Sequence, residues 1–173
     1  MSDKLHISWD RYEEEIEKLA IMVHEDGYKF NQVVCIAKGG LRVGDIFARL
    51  FDVPLAIMSV ESYHGDEVKD QRGQIIFGNS LAKTTPNIGS KILLVDDLAD
   101  SGTTFEKCVE WLQFTEGFFI EDIKTATMWL KGSSSYTPDY FVEYLKDNPW
   151  IIQPMEKYEE INIEQLIKNR EQQ

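Results

Sequence analysis

The run Ile92-Leu93-Leu94-Val95-Asp96-Asp97-Leu98-Ala99-Asp100-Ser101-Gly102-Thr103-Thr104 gathers acids, hydroxyls and a glycine where one apolar stretch gives way to another. Ile92 to Val95 read as a strand buried on both faces, as in a parallel sheet. Phe105, Cys108, Val109 and Leu112 recur at helical spacing and predict an amphipathic helix behind the turn. Unpaired backbone N–H groups and the helix dipole make such a strand–turn–helix junction a cradle for phosphate. The acids are the unusual part, because carboxylates repel a phosphate unless they hold a metal or grip sugar hydroxyls. The turn therefore suits a molecule that brings phosphate, ribose and magnesium together.

A plain strand-to-helix turn would need only one cap, from Asp100 or Ser101, and such capping is expected in any case. It leaves Asp96 and Asp97 without a purpose. The metal-holding acid of a nucleotide hydrolase also ends an apolar strand, but that machinery needs a glycine-rich loop closing in Gly-Lys-Ser or Gly-Lys-Thr, and the sequence contains neither.

The elements that must position this turn are readable from patterning. Ser8 can cap a helix over residues 8–26 with Tyr12, Ile16, Leu19, Ala20 and Val23 as its apolar stripe, and Gly27 can end it. The acids Glu13 to Glu15 are expected to face solvent. Val33 to Ala37 predict a central strand, followed at once by Lys38-Gly39-Gly40 and a helix with Val43, Ile46, Phe47 and Leu50 inward. Paired glycines there permit either a close approach to a ligand or a tight turn. Ligands of open α/β sheets sit at the carboxyl ends of strands, where this loop and the acidic one would meet. Leu55 to Val60 predict another strand. The polar stretch after it, about residues 61–90, fits a lid or hairpin excursion and fits a surface loop equally well, with Ile75-Ile76-Phe77 as a short strand inside it. Ile123 to Leu130 and Asp139 to Tyr144 predict two more strands, and residues 162–171 a terminal helix. Trp150, between Pro149 and Pro154, suits either core packing or a flat platform for a base.

Bulk properties set bounds. At 173 residues one domain over residues 1–173 is the natural reading. A net charge of -12 argues against nucleic acid as the main partner. It does not exclude an anionic substrate, since backbone N–H groups and a metal can supply local positive field. Cys35 and Cys108 sit in apolar segments and read as buried free thiols of a reducing compartment. His6, His24 and His64 show no zinc spacing. Neither a leader peptide nor a membrane-length apolar run is visible, so a cytoplasmic protein without a membrane partner is expected.

Ser8-Trp9-Asp10, Lys38-Gly39-Gly40-Leu41, Ser62-Tyr63, Val95 to Thr104, Lys131 and Trp150-Ile151-Ile152-Gln153-Pro154 together resemble the type I phosphoribosyltransferases, and within them the xanthine-guanine and related 6-oxopurine enzymes. The resemblance implies an α/β fold: a central, mostly parallel sheet flanked by helices, a small hood from the C-terminal segment (about 131–160) and a lid over 61–90 including Ser62 and Tyr63. It implies transfer of the phosphoribosyl group of 5-phosphoribosyl 1-diphosphate (PRPP) to guanine, xanthine or hypoxanthine, releasing pyrophosphate, with Mg2+ as cofactor. Asp96 and Asp97 would hold ribose hydroxyls and magnesium. Ser101, Gly102, Thr103 and Thr104 would hold the 5′-phosphate, and Lys38 and Gly39 the pyrophosphate, in a loop where relatives often keep a non-proline cis peptide before the lysine. Lys131 would donate to purine O6, Trp150 would stack on the ring, the Ile151 carbonyl would meet the C2 substituent, and Asp100 would manage the N7 proton. A homo-oligomer, dimer or tetramer, is implied as well. Met155, Glu156 and the length of 61–90 depart from the pattern around the base and lid, which leaves the base open. The rival readings are a phosphoribosyltransferase for a pyrimidine, and a PRPP-sensing regulator without catalysis; the latter usually carries a basic surface or an added helix-turn-helix, and neither is visible.

Overall fold

The computed structural model describes residues 4–62 and 75–171. In chain order its elements are β1 (Lys4–His6), α1 (Trp9–Asp26), β2 (Gln32–Ala37), α2 (Leu41–Phe51), β3 (Leu55–Ser62), β4 (Ile75–Phe77), β5 (Ala82–Lys83), β6 (Lys91–Ala99), α3 (Thr103–Thr115), β7 (Asp122–Lys131), β8 (Tyr140–Leu145), β9 (Trp150–Ile152), α4 (Lys157–Glu160) and α5 (Ile163–Glu171).

The apolar runs that read as two-sided strands form the middle of a seven-stranded sheet in the order β4-β3-β2-β6-β7-β8, with β5 beside β3. β3, β2, β6, β7 and β8 are mutually parallel, and only β4 and β5 run antiparallel, both against β3. Alternate residues of the central strands feed two cores. Leu93 and Val95 pack with Val43, Phe47 and the stripe of α1, whereas Ile92 and Leu94 pack with Phe105, Cys108 and Leu112 of α3. This is the alternation of a pleated strand covered on both faces.

From β2 the chain crosses to β3 on one side, and from β6 it crosses to β7 and β8 on the other. The neighbours β2 and β6 therefore flank the point where strand order reverses, and the loops leaving their carboxyl ends diverge around a crevice. Those loops are Lys38-Gly39-Gly40 and Asp100-Ser101-Gly102.

Capping follows expectation in α1: the Ser8 hydroxyl accepts from the Arg11 backbone N–H at 3.2 Å, and Gly27 closes the helix with φ 80. α3 differs. Its N-cap is Gly102, at φ 83, rather than Asp100 or Ser101, though the Ser101 hydroxyl still accepts the Thr103 backbone N–H at 3.4 Å. Glu15 is buried rather than solvated, held by Lys18 at 3.1 Å with Arg11 at 3.9 Å. Leu50 is exposed, whereas Val43, Gly44 and Phe47 of α2 are buried and Ile46 packs partly against the core.

The stretch expected to be a lid divides. Ser62 ends β3 as backbone, and Tyr63 lies outside the described residues. Residues 75–90 belong to the body of the fold: β4 pairs with β3, Phe77 stacks on Trp111 at 5.9 Å, and Leu81 and Ile88 are buried in the α3-side core. The expected hood divides too, since β8 extends the main sheet while β9 leaves it. β9 pairs in parallel with β1, Leu5 opposite Ile151, in a separate two-stranded sheet built from both ends of the chain. Cys35 and Cys108 are free and buried, and burial pushes the Cys35 thiol up to about 12.

The placement of α2 on β2 depends on Gly44. A Cβ there would come 2.5 Å from the Cys35 Cβ and 3.1 Å from Leu55 Cδ1. Such overpacking costs about 1–3 kcal/mol, more than the roughly 1 kcal/mol of helix propensity that alanine adds. Gly44→Ala is therefore expected to lower the Tm in a thermal melt, by about 2–4 °C for each net kcal/mol at this chain length.

Candidate active site

β6 continues through both acids, and Asp96 and Asp97 belong to the strand itself. The two differ in what they meet. Asp97 lines a cleft of about 720 Å3 that also takes in Lys38, Gly39 and Arg42 on one wall and Trp150, Gln153 and Glu156 on the other. Asp96 is buried below it, its Oδ1 accepting the Asp97 backbone N–H at 2.9 Å.

Packing around Asp97 is close. A Cβ on residue 39 would lie 2.5 Å from Asp97 Oδ1 and 2.7 Å from its Cγ, so only glycine lets the β2–α2 loop pass this carboxylate. At position 40 a Cβ would meet the Val95 and Ile36 carbonyl oxygens at 2.5 and 2.8 Å. The paired glycines thus serve close approach of one loop to the end of its neighbouring strand. The peptide bond between Ala37 and Lys38 is cis, as the family resemblance implies. On the far side of Asp97, Gln153 Nε2 donates to Oδ2 at 2.6 Å.

Burial pushes both carboxyl groups above the usual carboxylate range, and the charge of Asp97 adds to the effect on Asp96. Backbone N–H groups of Asp97 and Gly40 oppose the shift at Asp96, and the Gln153 amide opposes it at Asp97. Desolvation and like charge here work against hydrogen bonding to the ionised form. The same field reaches Tyr12, whose phenol is buried with no hydrogen-bond partner and is pushed well above its ordinary range by burial and by the Asp97 charge.

Downstream, Lys131 is buried at the end of β7 and makes an ion pair with Asp100 Oδ2 at 3.0 Å, while Asp100 itself is exposed. Lys131 Nζ also sits 5.8 Å from the centre of the Trp150 ring. Trp150 is exposed, which excludes the core alternative and leaves its face open; Ile151 beside it is buried. The structure therefore brings Asp100, Lys131 and Trp150 to one place, and Lys38, Gly39, Asp97 and Trp150 to one cleft. Ser101 to Thr104 do not line that cleft. Their turn is fixed from the opposite side by a loop that patterning did not single out. The Ser135 N–H and hydroxyl both donate to the Ser101 carbonyl, at 2.9 and 3.0 Å, and the Ser133 hydroxyl donates to the Asp100 carbonyl at 3.2 Å. Gly102 has Tyr136 N only 2.5 Å from where a Cβ would stand, and Tyr136 stacks on Phe105 at 5.8 Å. The serine run 133–135 was the available signal. Gln153 was another: it stands in the tryptophan segment, yet nothing in the sequence ties it to Asp97.

Among the described residues no three His, Cys, Asp or Glu side chains come together as a metal nest. A hard cation held through one or two carboxylates plus the oxygens of a substrate and water matches the donors present, and magnesium is commonly held so.

This geometry is a strand-end site at the switch point of a doubly covered, mostly parallel sheet, where open α/β proteins bind their ligands. Residues 8–160 match the phosphoribosyl transferase domain, and the chain belongs to the phosphoribosyltransferase family. A xanthine-guanine phosphoribosyltransferase from Ruegeria sp. (strain TM1040) is 33% identical over 155 residues, 86% of this chain and 83% of that protein. Among solved structures, a purine phosphoribosyltransferase from Pyrococcus horikoshii Ot3 superposes with a TM-score of 0.72 at 25% identity, covering 88% of this chain and 93% of its own. A xanthine-guanine-hypoxanthine phosphoribosyltransferase from Helicobacter pylori shares the fold, with a TM-score of 0.71 at 22% identity over 95% of this chain and 99% of its own. The α/β architecture expected from the type I resemblance is borne out.

The acid pair has a stability consequence. Each carboxyl is raised, so its ionised form is disfavoured by folding, and that penalty grows as pH rises through the folded value. Asp96→Asn removes a desolvated charge but keeps an oxygen for the Asp97 N–H. It is expected to raise the Tm by a few degrees at neutral pH, with the difference from the wild type shrinking as pH falls. Differential scanning calorimetry across a pH series measures both.

Proposed function

We propose that the protein is a purine phosphoribosyltransferase that joins the phosphoribosyl group of PRPP to a 6-oxopurine and releases pyrophosphate. What supports this most is the cleft in which Lys38, Gly39 and Asp97 face Trp150 across a space of about 720 Å3. Sugar-diphosphate chemistry lies on one wall and a flat apolar platform on the other.

In this reading Asp97, with Asp96 behind it, takes the ribose hydroxyls and the cation side of the substrate. The Ser101–Thr104 turn takes the 5′-phosphate at the N-terminus of α3, and Lys38 with the Gly39 amide takes the pyrophosphate. Bound magnesium would neutralise charge gathering on the departing pyrophosphate. The base is stacked by Trp150, met at O6 by Lys131 and at C2 by the Ile151 carbonyl. The C1′ centre gains oxocarbenium character as a ring nitrogen arrives, so positioning and exclusion of water carry much of the rate. Asp100 is the proton-handling group at N7. In the free protein Lys131 holds it, so the ion pair must loosen, or be shared, when the base enters. Among the described residues no helix is long and apolar enough to cross a membrane.

Pyrophosphate release with PRPP, magnesium and a panel of bases tests the reading. Turnover is expected with one or more of guanine, xanthine and hypoxanthine; turnover confined to uracil or orotate, or PRPP binding without turnover on any base, would replace it with one of the rival readings. Asp100→Asn is expected to lower kcat by about 10²–10⁴-fold, the usual range for a lost acid–base group, while leaving PRPP binding intact.

A further inference from the structure

We propose that Gln153 is a positioning residue for the sugar-diphosphate half of the site: its amide fixes the Asp97 carboxylate from the wall that carries the base platform. The inference rests on the phosphoribosyltransferase reading above and extends it to a residue that reading left without a role.

Three observations carry it. Gln153 Nε2 donates to Asp97 Oδ2 at 2.6 Å, a short bond of the charge-assisted kind, between residues 56 apart in sequence. The other side of the same carboxylate is pressed against Gly39, where even a methyl group would lie 2.5 Å from Oδ1. Asp97 is thus gripped between a backbone that allows no side chain and one amide donor, which together define a single rotamer. Thirdly, Gln153 Oε1 is buried without a hydrogen-bond partner. A glutamine whose carbonyl is left unsatisfied is oriented by its N–H group, so the contact with Asp97 decides where the side chain points.

Position along the chain gives this contact its meaning. Gln153 directly follows β9, three residues after the platform Trp150. Its backbone N–H donates to Glu156 Oε1 at 3.0 Å, and the Ile152 carbonyl before it accepts from the Ile7 N–H at 2.9 Å. The segment that presents the base is therefore tied rigidly to the acid that grips the sugar. An amide can do this where a charged donor would compete with the cation for Asp97. The amide orients the carboxylate and leaves its negative charge available.

Three variants separate positioning from packing. Gln153→Met keeps the volume and loses the donor, Gln153→Glu keeps the shape and turns the donor into a repelling acid, and Gln153→Asn keeps the amide but is one methylene short. Calorimetric titration of PRPP with magnesium, together with the KM for PRPP and for the base, gives the readout. Met and Asn are expected to weaken PRPP binding by about 10–100-fold, the value of one hydrogen bond to a charged group, and Glu by more. The KM for the base should change little, because the Trp150 wall stays in place. Wild-type affinity for PRPP in Gln153→Met, or equal rises in both KM values, would overturn the inference and leave the proposed function standing. Should one variant fail to show a cooperative melt, the other two carry the same comparison. Failure of the wild-type protein to bind PRPP would overturn both.

Discussion

Two consecutive carboxylates at the end of the central strand, Asp96 buried and Asp97 half-buried at the cleft, are the constraint around which this structure is built. Burial and mutual repulsion push both toward their neutral forms, while the amides of Asp97, Gly40 and Gln153 favour the ionised ones. Such a pair weakens the fold that carries it, and binding sites commonly keep strain of this kind because a ligand can use it. Much of the local sequence is then explained. Residue 39 is glycine because Asp97 occupies the space of its side chain, residue 40 because two strand carbonyls do, and the turn at Gly102 because Tyr136 closes over it.

The sheet decides where these pieces meet. β2 and β6 are neighbours whose crossovers leave in opposite directions, which opens a crevice between the Lys38 loop and the acidic turn. The opposite wall is supplied by the two-stranded sheet of β1 and β9, so both ends of the chain are spent on positioning Trp150 and Gln153. Lys131 joins the halves: buried at the end of β7, it pairs with Asp100 of the acidic turn and faces the Trp150 ring. The Trp150 wall and the acidic strand end are consequently connected by two polar contacts, Lys131–Asp100 and Gln153–Asp97, above the apolar core that Ile7 and Ile151 share with Leu93 and Val95.

Much of this was open to reading in the sequence, and the failures are instructive. The strands at Val33–Ala37, Leu55–Val60, Ile92–Val95 and Ile123–Leu130 and the helix behind Ser8 were readable because period and capping are local properties. Glu15 departs from the solvated face expected of its run because helical geometry turns the third acid onto the buried stripe of Tyr12, Ile16 and Leu19. Leu81 and Ile88 misled in the other direction: isolated apolar residues in a polar stretch show no period, yet both are buried once β4 and β5 fold back on β3. β1 was missed because a strand of three residues has too little pattern to register, and its only partner lies at the far end of the chain.

The sequence alone determined the order of the longer strands and helices, the acid-and-glycine turn at 96–104 and the residue types available to it, because each is encoded within a few neighbouring positions. Tertiary structure alone decided that Asp97 rather than Asp96 opens to the cleft, that Gln153 holds it, that Lys131 and Asp100 are paired, and that the serines at 133–135 brace the turn. Those contacts join residues 31 to 56 positions apart. They depend on which strands lie side by side and which way the chain crosses between them, and no local periodicity records that choice.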